Sequence, residues 1–179
     1  MSGAAVPDTA SIGGPALTVD QFNGADDVVA RELLGACLDI ERWVGEVAAG
    51  RPYRDRDDLL TRASASADEI TWAEVAGALL RHPRIGEKAT GGNSTDAALS
   101  ATEQSGVADS DAAELAAGNL AYEQRFGYIY LICASGLSGA QMLAALRERL
   151  THDDEQERLV VMNELRKIAA LRLAKVISA

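Results

Sequence analysis

Apolar residues recur along this chain mostly at intervals of three and four, the repeat of a helix with one buried face. Val28, Val29, Leu33, Leu34 and Cys37 follow Asp26 and Asp27, which are suited to cap a helix start. Ile40, Trp43, Val44 and Val47 mark a second helix, ended by Gly50-Arg51-Pro52. Asp57 to Ala67 reads as a third. Thr71-Trp72-Ala73-Glu74 has the spacing of a capping box and opens a fourth, with Trp72, Val75, Ala76 and Leu79 on one face. The pattern stops at HPRIGEK, His82 to Lys88, where Pro83 removes a backbone donor and disfavours the α conformation at His82. Gly91-Gly92-Asn93 extends that loop. Helical spacing resumes from Ser94 to Gln104 and from Ser110 to Phe126, where Gly127 stops it. Tyr128 to Cys133 is β-prone and too short for a helix. Helices are then expected from Ser138 to Leu150 and from about Asp153 to Ile177.

One extended segment among so many helices predicts an all-α fold, a single-domain bundle of about eight short helices. Residues 1–20 are rich in Gly, Ala, Pro and small polar side chains and are expected to be a disordered, flexible tail, leaving 21–179 as the folded domain. The chain carries 27 acidic and 17 basic residues, a net charge of −10, with 47% hydrophobic and 25% charged residues. Such a surface suits neither nucleic acid nor an anionic membrane, both of which need clustered Lys and Arg. No basic residue precedes Arg31 and no apolar run accompanies it, so the start does not read as a secretory signal. The uncharged stretch Tyr128 to Leu146 is broken by SGLSG. A cytoplasmic protein is expected.

Cys37 and Cys133 stand apart, and the two histidines are His82 and His152. No set of ligands at zinc-binding spacing appears, so no metal site is predicted and the cysteines read as small core residues. Ser138 in GLSGA reads as a helix N-cap and not as a phosphate loop. His152 and the acidic run to Glu157 read as solvated residues at a helix start. Two positions carry more chemistry. Arg172 lies inside the apolar stripe Met162, Leu165, Ile168, Ala169, Leu173, Val176 of the last helix. It either snorkels or pairs with a buried carboxylate, or lines a polar pocket that receives an anionic or carbonyl-rich ligand. His82 stands alone on a Pro-interrupted turn, structural or catalytic. Ser100-Ala101-Thr102-Glu103 is a capping box by spacing, or else a cluster whose Glu103 and Gln104 share a pocket with His82.

Several motifs occur in order: CLDIERW at Cys37 to Trp43, the Arg51-Pro52-Tyr53 turn, HPRIGEK at His82, SATEQSG at Ser100 and NLAYEQRFGYIYLICASG at Asn119. Met142 to Leu150 and Glu164 to Leu173 complete the series. This order resembles the OHCU decarboxylases, which act on 2-oxo-4-hydroxy-4-carboxy-5-ureidoimidazoline in urate catabolism; the likeness runs from about Phe22 to Ile177. The resemblance implies an enzyme without cofactors that releases CO2 and delivers (S)-allantoin, and that works as a homodimer on a small-molecule substrate. It implies that His82 is the catalytic proton donor and that Glu103 is the second catalytic residue beside it. It further implies substrate contacts from Pro83, Ser100, Ala101, Thr102, Gln104 and Arg172. The backbone of Tyr130, Leu131, Ile132, Cys133 and Ala134 is expected to clasp the ring. Thr151-His152 departs from the family, which commonly has an Asn-containing turn there. Two other readings fit the composition: a non-catalytic acidic helical interaction module, and an isomerase or hydrolase on the same scaffold with another ureido or hydantoin substrate.

Overall fold

A computed structural model describes residues 16–82, 84 and 109–178. Among these residues lie eight helices: α1 (Val19–Gly24), α2 (Asp27–Cys37), α3 (Glu41–Ala49), α4 (Arg56–Asp68), α5 (Trp72–Leu79), α6 (Asp109–Phe126), α7 (Gly139–Arg149) and α8 (Asp154–Val176). The strands among them are the two-residue β1 (Leu17–Thr18) and β2 (Ile177–Ser178), paired in parallel with Leu17 opposite Ile177. The fold is therefore all-α, as the hydrophobic spacing predicts. The helix expected from Ser94 to Gln104 lies outside the described residues.

The predicted tail needs correction at its end. Residues 17–20, assigned to it on composition, form β1 and the first turn of α1. Thr18-Val19-Asp20-Gln21 is a capping box: the Thr18 hydroxyl accepts from the Gln21 amide, and the Gln21 side chain accepts from Thr18 N–H. Val19 and Phe22 behind it are buried.

The other helix starts follow the same local chemistry. Thr71 and Glu74 form the predicted box, and Ser138 with Gln141 forms another. Asp26 occupies the N-cap of α2 but makes no side-chain capping bond. Its neighbour Asp27 pairs with Arg31 and Arg51 instead. Thr71→Ala is expected to cost about 1 kcal/mol, since it removes the acceptor for the Glu74 amide at an exposed position. Thermal unfolding should show a fall in Tm of about 2–4 °C; an unchanged Tm would mean that the box does not hold α5.

Two apolar cores result. The larger gathers Leu34, Trp43, Leu59, Val75 and Leu165 among its buried side chains, with the Trp43 indole N–H donating to the Ala63 carbonyl at 2.8 Å. The smaller, beneath α6 and α7, holds Leu115, Tyr122, Tyr130, Met142 and Leu146. Gly118 lets these two helices close, because a Cβ there would collide with Leu146.

Between the cores runs residues 128–135, flanked by Gly127 (φ +78°) and Gly136 (φ +82°), both left-handed. Leu131 and Cys133 pack into the first core, whereas Tyr130, Ile132 and Ala134 pack into the second. That alternation is the two-residue period of extended backbone. The β-prone run is thus extended, and no strand lies beside it among the described residues.

Candidate active site

His82 ends the turn that follows α5, its amide donating to the Leu79 carbonyl at 3.3 Å. Its half-buried imidazole lines a cavity of about 560 Å³. Trp72 and Tyr128 form an aromatic wall, meeting edge to face with centroids 4.9 Å apart. The Arg158 guanidinium lies over the Trp72 ring at 5.4 Å, a cation–π contact. Arg84 bonds Glu123 through two N–H groups, at 2.6 and 3.0 Å. The Arg84 hydrogen bond holds the Glu123 carboxyl below the usual range, so it stays ionised beside the cavity. A histidine, the Arg158 guanidinium, the Arg84–Glu123 ion pair and an aromatic wall in one concave site suit a polar, planar molecule.

Arg172 is 2% exposed. That burial excludes snorkelling to solvent, and its Nη1 donates to the Ala36 carbonyl on α2 at 3.1 Å. Tyr130, Leu131, Ile132 and Ala134 are buried and Cys133 half-buried. Neither residues 130–134 nor Arg172 are among those lining the His82 cavity, although Tyr128 and Ile129, which open the extended run, are. Pro83, Ser100, Ala101, Thr102, Glu103 and Gln104 lie outside the described residues.

α8 organises what is described. At 100° per residue Glu157, Val161, Glu164, Ile168 and Arg172 fall within about 80° of arc, so three buried charged side chains share one stripe. Glu164 accepts from the Cys133 amide at 2.8 Å, and Arg172 sits about 12 Å further along the same face. Glu164, which holds the extended run, and Arg172 therefore lie on one side of one helix, about 12 Å apart along it.

Four functional-looking residues, Arg149, Tyr122, His152 and Glu157, escaped the sequence reading. Arg149, 5% exposed, bonds Glu157 Oε1 through Nε and Nη2 at 2.8 and 2.6 Å, and bonds the Leu131 carbonyl through Nη1 at 2.6 Å. Tyr122 donates its hydroxyl to Glu157 as well. Burial, with the Glu157 hydrogen bond, pushes the Tyr122 phenol far above its ordinary range and keeps it a donor. His152 and Glu157 correct the expectation of solvated residues: Glu157 is fully buried and His152 Nδ1 lies 2.7 Å from its Oε2. A readable signal existed for Arg149, which follows Leu146 by three residues and Met142 by seven, on the apolar face of α7.

The family profile described as OHCU decarboxylase matches residues 23–174. The chain belongs to the OHCU decarboxylase family. The 2-oxo-4-hydroxy-4-carboxy-5-ureidoimidazoline decarboxylase of Haloferax volcanii is 25% identical over 160 residues, covering 89% of this chain and 95% of that protein. That of Amia calva is 31% identical over 135 residues, covering 73% and 77%. The uric acid degradation bifunctional protein TTL of Arabidopsis thaliana is 31% identical over 147 residues; the match covers 79% of this chain and spans 45% of that longer protein. Among solved structures, OHCU decarboxylase in the presence of (S)-allantoin superposes with a TM-score of 0.68 at 25% identity, covering 85% of this chain and 98% of that one. The OHCU decarboxylases are carboxy-lyases, and the all-helical architecture described above is theirs. Among the described residues no helix is long and apolar enough to cross a membrane.

Proposed function

We propose that this chain decarboxylates 2-oxo-4-hydroxy-4-carboxy-5-ureidoimidazoline to (S)-allantoin and CO2 during urate breakdown, with His82 as the proton donor. The observation that carries the reading is His82 on the wall of a cavity in a member of this family. The substrate supplies its own electron sink. Its carboxylate sits on a carbon next to a C=N bond, so the pair from the breaking C–C bond flows into that imine as CO2 departs. No cofactor is needed for that step. The enol so formed must then collapse to a carbonyl while a proton is added to the former imine carbon from one face only, which a fixed imidazole delivers.

The remaining roles follow the family motif. Glu103 orients His82. Pro83, Ser100, Ala101, Thr102 and Gln104 contact the ureido and ring amide groups. Arg172 grips the substrate, a role that its buried guanidinium on the α8 stripe supports. The backbone of Tyr130 to Ala134 clasps the ring. In a chain of net charge −10, Arg158 at the cavity supplies a local cation for an anionic substrate, whereas Arg84 is neutralised by Glu123. We take the enzyme to work in the cytoplasm as a homodimer, as the resemblance to the family implies.

The deciding experiment generates the substrate in place from urate and follows optical rotation with and without this protein. Spontaneous decay gives racemic allantoin. A faster rise of the dextrorotatory (S) product is expected; a trace identical to the control, from folded protein, would overturn the reading.

A further inference from the structure

The extended run between Gly127 and Gly136 has one edge held by side chains. All peptide bonds of the described chain are trans except Arg51–Pro52. In a planar trans peptide the C=O and the N–H point in opposite directions. The Leu131 carbonyl is taken by Arg149 at 2.6 Å, so the Ile132 N–H, across the same peptide, is directed away from Arg149. The Cys133 amide is taken by Glu164 at 2.8 Å, so the Ile132 carbonyl is directed away from Glu164. One edge of the run is thereby occupied by two charged side chains from α7 and α8. On the other edge a single residue presents a donor and an acceptor together, the arrangement that pairs with a –NH–CO– unit in an antiparallel ladder.

Both holders are themselves braced. Arg149 is locked onto the fully buried Glu157, which also takes Tyr122 and His152. Glu164 holds Lys167 Nζ through its second oxygen at 2.7 Å. A buried ion pair is a poor source of stability, because desolvation offsets its attraction. What the network supplies is direction for two peptide groups.

We propose that Arg149 and Glu164 are positioning residues, which by fixing the Leu131 carbonyl and the Cys133 amide aim the Ile132 N–H and C=O at an amide or ureide unit of the substrate. The inference rests on the reading of this run as part of the substrate site.

Glu164→Leu and Glu164→Gln test it. The leucine variant removes the acceptor and is expected to lower kcat/KM roughly tenfold or more, since small misplacements of substrate contacts are costly. Its Cys133 amide should also exchange hydrogen faster. The glutamine variant keeps an acceptor oxygen and should recover most of both. Undiminished kcat/KM in folded Glu164→Leu, or a Glu164→Gln variant equally impaired, would overturn the proposal. Should Glu164→Leu fail to fold, Arg149→Lys decides: it keeps the charge, loses the planar fork, and should show a similar fall, whereas wild-type kinetics would overturn the proposal. A wild-type protein inactive on the substrate overturns the assigned function and this inference with it; an active wild type with unaffected variants overturns the inference alone.

Discussion

His82→Ala is expected to lower kcat by about 10²–10⁴-fold, the usual contribution of a positioned acid or base. The fold should survive. His82 sits beyond the last turn of α5, and the hydrogen bond that closes this turn uses its backbone amide, which alanine retains. A substitution at a half-buried turn position is expected to cost about 1 kcal/mol. The two readouts are the initial rate of allantoin formation and the optical purity of the product. Residual product should approach the racemate, because protonation would then come from water on either face. Full turnover in the variant would place the proton donor elsewhere, and a large loss of Tm would make His82 structural.

Arg149→Met should cost about 3–5 kcal/mol, because it leaves the Glu157 carboxylate buried without its main partner. For a chain of this length that corresponds to a fall in Tm of about 6–20 °C. The double variant Arg149→Met with Glu157→Leu removes both charges and should regain a large part of the loss. Its turnover should stay low, since the Leu131 carbonyl still lacks its donor. Stability and activity would thus part company in one pair of variants. A single variant within about 1 kcal/mol of wild type would show that Glu157 reaches solvent or is neutralised by His152.

Helices proved legible wherever their ends are set by adjacent residues. Asp57 to Ala67 is expected and Arg56–Asp68 is found; the Thr71 box and the Ser138 N-cap sit where the sequence places them, the latter completed as a box by Gln141. Arg172 could be read as buried because an entire apolar stripe surrounds it. Arg149 has the same kind of position, but its partner Glu157 is on another helix, in an acidic run that looks solvated when read locally. Only the packing of Tyr122 from α6 and of α7 against the start of α8 buries that carboxylate. The β1–β2 pair was illegible for a related reason: its partners are some 160 positions apart in a chain whose ends carry weak local signals. The same distance hides the clasp on Leu131 and Cys133, which comes from two later helices.

The parallel pairing of Leu17 with Ile177 also has a mechanical consequence. The chain enters the fold at the near end of β1 and leaves it from the far end of β2, from adjacent points on the surface. A pull on the two ends would drag these strands in opposite directions along their length, loading their cross-links together as a shear clamp. Arg56, which bonds the Ala174 and Ile177 carbonyls, rivets the clamp to α4. Tension between whatever is tethered at either end would therefore be borne at this seam before it reached the helices that hold His82 and Arg172.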